Sequence, residues 1–241
     1  MKTIGLIGGL SWESTAIYYR MLNETVRRRL GGLHSAKLLL WSFEFAEIEA
    51  LQASGDWPAA TAFMIDAARR LELGGADCLV ICSNTMHRMA PEIEAAVALP
   101  LIHIADATAA AIKMSASRRP LLLATRYTME QPFYKTRLQE GHGIEAMVPG
   151  EADRATVHRI IYEELCQGII RPESKAAYLD VVSAGRARGA DGVIFGCTEV
   201  GMIIAPADFD LPVFDTTLLH AEAAIGFAMG SDSGESPSPA L

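Results

Sequence analysis

An eleven-residue segment occurs twice in this chain, and its recurrence restricts the fold more than any other feature. Residues 75–85 read Gly-Ala-Asp-Cys-Leu-Val-Ile-Cys-Ser-Asn-Thr, and residues 189–199 read Gly-Ala-Asp-Gly-Val-Ile-Phe-Gly-Cys-Thr-Glu, at an offset of 114 with no gap. Each copy is an apolar run that ends abruptly in small polar residues. That is the pattern of a buried strand reaching the carboxyl edge of a sheet and opening into a loop. The match sets Ser83 on Cys197 and Asn84 on Thr198. It predicts two similar halves, each offering one reactive position at the same structural point. A shorter echo supports this: Leu-Pro-Leu-Ile-His at 99–103 and Leu-Pro-Val-Phe-Asp at 211–215, at an offset of 112.

Strand patterns fall at residues 4–7, 38–42, 78–82, 99–104, 121–124, 144–148, 193–196 and 211–215. Helical patterns separate them, at residues 11–30, 57–73, from about 84, 105–114, from 125, 153–168, 172–188 and 217–229. This alternation predicts an α/β chain with two pseudo-symmetric α/β domains, mainly parallel sheets and a cleft between them. Residues 1–100 with 211–229 form the expected first half and 101–210 the second. Residues 230–241, rich in Gly, Ser and Pro, are expected to be a disordered tail.

At 50% hydrophobic and 21% charged, the chain can bury a sizeable core. A formal charge of −8 argues against nucleic acid or an anionic membrane as partner. No apolar run reaches membrane-spanning length. The short apolar start runs into Gly8-Gly9 and reads as a first strand rather than a signal peptide. A cytoplasmic protein is expected. The four cysteines, Cys78, Cys82, Cys166 and Cys197, have no metal-type spacing. Cys78, Cys82 and Cys166 read as apolar filler.

Ligands of parallel α/β sheets bind at the carboxyl ends of the strands. Four polar strand exits stand there: residues 8–11, 83–85, 125–128 and 197–199. Each feeds a helix N-terminus, which favours a carboxylate or other small anion. Gly9, Ser11, Asn84, Thr85, Thr125, Arg126, Thr198 and Glu199 are the expected substrate contacts. Cys197 is the sharpest candidate, because a thiol beside a helix N-terminus is expected to have a lowered pKa. Two opposed half-sites suit removal of a proton from one face of a carbon and delivery to the other. No lysine lies in the four loops to anchor a Schiff-base cofactor, and the glycines at 5–9 make a poor dinucleotide fingerprint. Neither metal nor cofactor is expected.

Six motifs together carry a family resemblance: Gly-Leu-Ile-Gly-Gly-Leu-Ser-Trp-Glu-Ser-Thr (5–15), Ser-Asn-Thr-Met-His (83–87), His-Ile-Ala-Asp-Ala-Thr (103–108), Ala-Thr-Arg-Tyr-Thr-Met (124–129), Gly-Cys-Thr-Glu (196–199) and Phe-Asp-Thr-Thr-x-Leu-His-Ala (214–221). On these the chain resembles the aspartate/glutamate racemase superfamily, whose members need no pyridoxal phosphate. The resemblance covers about residues 2–229. It implies two pseudo-symmetric halves, a homodimer, and racemisation of a free amino acid by two opposed thiols. It also implies that Asn84, Thr85, Thr125 and Thr198 hold the α-carboxylate.

One thiol does not carry over. The family pattern is Cys-Asn-Thr, and here it is Ser83-Asn84-Thr85. Cys82 comes one residue early, and neighbouring side chains of a strand face opposite ways. The expected site is therefore lopsided, with Cys197 as base on the L-side and Ser83 as the opposing group. An acidic substrate would want a fixed cation; Arg126 is the nearest candidate, with Arg88 and His87 further along a helix. Glu199 is expected to orient Cys197 or the substrate ammonium. Two other readings fit a single aligned thiol: a decarboxylase acting on a malonate-type acid, and a catalytically impaired amino-acid-binding homologue.

Overall fold

The computed structural model describes residues 1–230. The tail expected at 230–241 therefore lies, beyond Gly230, outside the described residues. Among the described residues, six strands form two three-stranded parallel sheets. Strands β1 (Ile4–Gly8), β2 (Leu38–Ser42) and β3 (Cys78–Ile81) run in the order β2-β1-β3. Strands β4 (Leu121–Leu123), β5 (Val193–Phe195) and β6 (Val213–Asp215) run in the order β4-β5-β6.

The repeat is visible in this order. Strand β3 lies beside β1 on one side and bridges Leu101 on the other; β5 lies beside β4 and β6. A second isolated bridge, Leu121 to Met147, extends the β4 edge where β2 extends β1. Residues 99–104 and 144–148 thus take their expected places but pair through one bridge each, not as full strands. Pro100 lacks an N–H to contribute to the first of these ladders. The expected division of the chain also needs correcting at 211–215. Strand β6 is hydrogen-bonded to β5 and belongs to the second sheet, while the helix that follows it packs on the first.

The shared Gly-Ala-Asp has a structural cause. Gly75 and Gly189 have φ of 87° and 96°, left-handed values that let the helices before them turn sharply into β3 and β5. The Ala76 N–H donates to the Leu71 carbonyl, and the Ala190 N–H donates to the Gly185 carbonyl. Each aspartate then pins the neighbouring strand's entry. Asp77 accepts the Thr3 N–H at 2.6 Å, before β1, and Asp191 accepts the Arg118 and Arg119 N–H groups at 2.7 and 2.9 Å, before β4.

Strand parity distributes the first core over two faces. Ile7, Leu79 and Ile81 pack under the Trp57–Leu73 helix through Met64, Ala67 and Leu71. Ile4, Leu6, Cys78, Val80 and Cys82 face the other way, against the Trp12–Leu30 and Thr216–Met229 helices. The second core gathers β4, β5 and the helices around them into one cluster. The Ile104–Lys113 and Thr216–Met229 helices, equivalent under the 112-residue offset, pack on each other between the halves. Their caps match: His103 Nδ1 accepts the Ala105 N–H, and Asp215 Oδ1 accepts the Thr217 and Leu218 N–H groups.

Two helices depart from the sequence pattern. Phe45–Ser54 is helical, capped by Glu44, with Ile48 and Gln52 buried one turn apart. The expected helix at 153–168 stops at Glu163 and is followed by a single 3₁₀ turn, Leu165–Gln167. Both changes bear on the cleft. Among the described residues, no helix is long and apolar enough to cross a membrane.

Candidate active site

The strand exits converge on one narrow cleft. Ser83, Asn84, Thr85, Thr125, Cys197, Thr198 and Glu199 all line it. The equivalence of Ser83 and Cys197 thus puts a hydroxyl and a thiol at corresponding strand ends on the wall of one cavity. Cys82 takes the parity of Cys78 and Val80, and is fully buried in the apolar core beside Tyr18 and Ala221. Burial drives its thiol pKa far up. Its partner under the repeat is Gly196, where a Cβ would press on Leu122 and Ala124. Neither half has a cleft-facing side chain at that position.

Glu199 organises the thiol side. Its Oε1 accepts the Ser11 and Ser14 hydroxyls, each at 2.7 Å, and its Oε2 accepts the Cys197 S–H at 2.9 Å. With the Ser14 proton committed to Glu199, the Thr198 hydroxyl is the donor in its 2.5 Å contact with Ser14. Ser11 caps the Trp12–Leu30 helix in the first half, so this network stitches the two halves together across the cleft. Gly9 precedes it at φ 71°, packed so closely on the Phe43 backbone that no side chain fits; it shapes the loop without lining the cleft.

The thiol is not activated in the way the sequence implied. Burial, then the Glu199 carboxylate, hold Cys197 well above its ordinary pKa. The helix expected to lower it is a single turn, Val200–Ile203, too short to outweigh desolvation and a carboxylate in contact. At rest the residue is a thiol with its proton aimed at Glu199.

The other wall is a hydroxyl triangle. Thr85 Oγ1 lies 2.8 Å from Thr125 Oγ1 and 3.2 Å from Thr128 Oγ1. Asn84 has a fixed orientation. The Thr216 hydroxyl donates to the Phe195 carbonyl at 2.7 Å, so its oxygen must accept from Asn84 Nδ2 at 3.0 Å. That leaves Asn84 Oδ1 buried without a partner among the described residues. The free end of this amide is an acceptor.

The cavity holds about 30 Å³. That is room for one or two waters and too little for an amino acid. It is roofed by the two departures from the expected helix pattern. Phe45 and Gln52 come from the Phe45–Ser54 helix, and Tyr162 from the end of Glu151–Glu163. The Tyr162 hydroxyl donates to Gln52 Oε1 at 2.9 Å, and the Phe45 and Tyr162 rings sit 6.5 Å apart.

Across residues 7–224 the chain matches the family model described as Asp/Glu/Hydantoin racemase. The chain belongs to this family. Its fold is similar to that of a Yersinia pestis protein provisionally assigned as an Asp/Glu racemase, at 55% identity and a TM-score of 0.88, covering 95% of this chain and 100% of that one. It is also similar to an aspartate racemase homologue from Pyrococcus horikoshii OT3, at 33% identity and a TM-score of 0.82, again covering 95% and 100%. A curated relative, the broad specificity amino-acid racemase RacX of Bacillus subtilis strain 168, is 24% identical over 165 residues, which is 67% of this chain and 69% of that protein. Racemases are isomerases, and the family is one of α/β proteins with parallel sheets such as these.

Besides Gly9 and Ser11, which were expected as substrate contacts and lie outside the cleft lining, two more residues sit other than where the sequence placed them. Arg126 is exposed and outside the cleft lining, its guanidinium 5.0 Å from the centre of the Tyr127 ring. Cys166 lines the cleft instead of filling the core, with its S–H 3.8 Å from Glu199 Oε1. Its signal was hidden by the expectation of a continuous helix through 168. Beside it, Glu164 is buried and accepts from Arg159 and Ser174. Among the described residues lining the cleft there is no lysine, arginine or histidine. No group of three or more His, Cys, Asp or Glu among them could hold a metal ion.

Behind the cleft, three buried imidazoles meet edge to face around His87. The His87 ring centre lies 4.7 Å from that of His103 and 5.3 Å from that of His220. Each ring has a nitrogen accepting a hydrogen bond. His87 Nε2 takes the Ile104 N–H, His103 Nδ1 the Ala105 N–H, and His220 Nδ1 the Tyr18 hydroxyl. All three are therefore neutral. Burial lowers His103 to about 3 and His220 to about 4, and lowers His87 strongly. Unfolded histidines titrate near 6.5. Between about pH 6.5 and 4 the unfolded chain thus binds more protons than the folded one, and stability falls as pH falls. Thermal unfolding at pH 7.5 and pH 4.5 should show a loss on the order of 2 kcal/mol per ring at the lower pH.

Proposed function

We propose that this chain interconverts amino-acid enantiomers without a bound cofactor, with Cys197 as the base on the L-side and Ser83 as the opposing proton donor. The observation that carries the reading is the pairing of one thiol and one hydroxyl, at repeat-related strand exits, on one narrow cleft. The Thr85 and Thr125 hydroxyls receive the α-carboxylate. The unpartnered Asn84 Oδ1 and the Glu199 carboxylate attract the α-ammonium, whose positive charge offsets the cost of a thiolate in this buried site.

The protons balance as follows. Glu199 takes the Cys197 S–H proton, and the thiolate takes the Cα proton of the L-substrate. The carbanion is reprotonated on its other face by the Ser83 hydroxyl, and the resulting alkoxide is neutralised through solvent by the proton held on Glu199. The reverse direction asks Ser83 to act as a base, which its high pKa resists. Enantiomers are isoenergetic, so kcat/KM must still agree in both directions. The asymmetry instead makes solvent exchange at Cα of the L-form faster than net inversion. The cleft lining among the described residues, which holds no lysine, arginine or histidine, together with the breadth named for the Bacillus subtilis relative, favours a range wider than aspartate and glutamate. The family's homodimer and a cytoplasmic location go with this reading.

The test is incubation of a panel of L- and D-amino acids in heavy water, following deuterium at Cα and chirality together. Faster exchange than inversion from the L-side is expected. Equal exchange of both enantiomers would remove the assigned asymmetry. No exchange with any amino acid, alongside carbon dioxide release from an arylmalonate, would replace racemisation with decarboxylation.

A further inference from the structure

We propose that His87 is a positioning residue for the Ser83 half of the reaction, holding the Ser83–Asn84 peptide in its working orientation through a single neutral tautomer. The inference rests on the racemase reading above and adds to it a residue outside the cleft lining.

The geometry that points to it starts at the ring. The Ile104 N–H can only donate, so His87 Nε2 accepts at 3.2 Å and carries no proton. Nδ1 must then carry it, and it donates to the Ser83 carbonyl at 2.8 Å. His87 thus ties the first-half exit loop to the first residue of the Ile104–Lys113 helix, where the chain passes into the second half. In a trans peptide the C=O and N–H point in opposite directions. Holding the Ser83 carbonyl toward the imidazoles therefore fixes the Asn84 N–H on the opposite side of that peptide. The same constraint limits ψ of Ser83 and so the direction from which its hydroxyl addresses Cα.

The neighbouring rings hold this one. His220 donates from Nε2 to the Ile102 carbonyl at 2.6 Å and accepts from Tyr18 at 2.8 Å, and His103 accepts the Ala105 N–H, so both neighbours of His87 are anchored. Burial, with His103 and His220 beside it, lowers the His87 pKa far below neutrality, which preserves the tautomer across the working pH range. The equivalent half-site has no such device. Under the 114-residue offset His87 falls on Gly201, and Cys197 is instead held by Glu199.

Two substitutions separate positioning from folding. His87→Gln places an acceptor near Nε2 but loses the donor to Ser83; His87→Asn places a donor near Nδ1 but loses the acceptor for Ile104. With L-substrate in heavy water, His87→Gln is expected to lower the ratio of inversion to Cα exchange about tenfold or more, the scale of a misplaced reacting group. His87→Asn should keep the ratio. Exchange and inversion falling together in both variants would overturn the proposal. Absence of exchange in the wild-type protein would instead overturn the racemase reading. Should a variant fail to fold, the wild-type protein still decides: nitrogen-15 NMR of labelled histidine should show Nδ1 protonated at neutral pH, and a charged or Nε2-protonated His87 would overturn the assignment.

Discussion

Replacing Cys197 with alanine is expected to stop deuterium entering Cα of L-substrates, with a fall of about a thousandfold, within the range of a lost general base. The thiol is half-buried at a strand exit, so its removal leaves the core intact and the folded fraction unchanged. Nothing else on that wall is set to replace it. The Thr198 proton is directed at Ser14, and Glu199 is occupied by four donors. Cys166 is the one rival, because it faces the same carboxylate from 3.8 Å. Cys166→Ala is the control. Full exchange in Cys197→Ala, lost only when Cys166 is also removed, would transfer the role of base to Cys166.

Glu199→Gln should separate two properties that normally move together. The side chain keeps its size and one acceptor oxygen, so Ser11 and Ser14 retain a partner. What is lost is the group that takes the thiol proton, and kcat/KM should fall about a hundredfold. Yet the carboxylate is also one of the causes holding the Cys197 pKa up. Removing its charge should make the thiol more acidic, and alkylation of Cys197 by iodoacetamide near pH 8 should become faster. Slower catalysis with faster alkylation is the expected signature. If both rates fell, Glu199 would be a structural cap and the proton would need another acceptor.

The fold was readable because its information is periodic. The 114-residue offset placed β3 on β5, and the structure bears out that equivalence down to the left-handed glycines and the aspartates at the strand entries. Strand parity turned Cys82 into the core, as the one-residue shift from Ser83 implied. The cleft roof was not readable. Phe45–Ser54 has a mixed face in which Gln52 is buried and two glutamates are not, so no clean stripe marks it. Cys166 was missed because the sequence carries no breaker at Glu163 and Glu164, where the helix ends and Glu164 accepts from Arg159 of the same helix and Ser174 of the next. The Cys197 pKa was misjudged because the sequence shows a helix start, not its length or the degree of burial. Arg126 directly follows Thr125, a cleft residue, and only the local turn decides that its side chain leaves the cleft.

The Thr216–Met229 helix is the last described element to be synthesised, yet it covers a face of the sheet that is synthesised first. A nascent chain complete to residue 215 leaves Ile4, Leu6, Cys78 and Val80 without the cover of Ala221, Ala224 and Ile225. The second core draws all its buried residues from 104–214 and is assembled from one uninterrupted stretch. The vectorial order of translation therefore inverts the order of completion: the amino-terminal half waits, with apolar surface open to chaperones or to aggregation, until the carboxyl-terminal helix has left the ribosome.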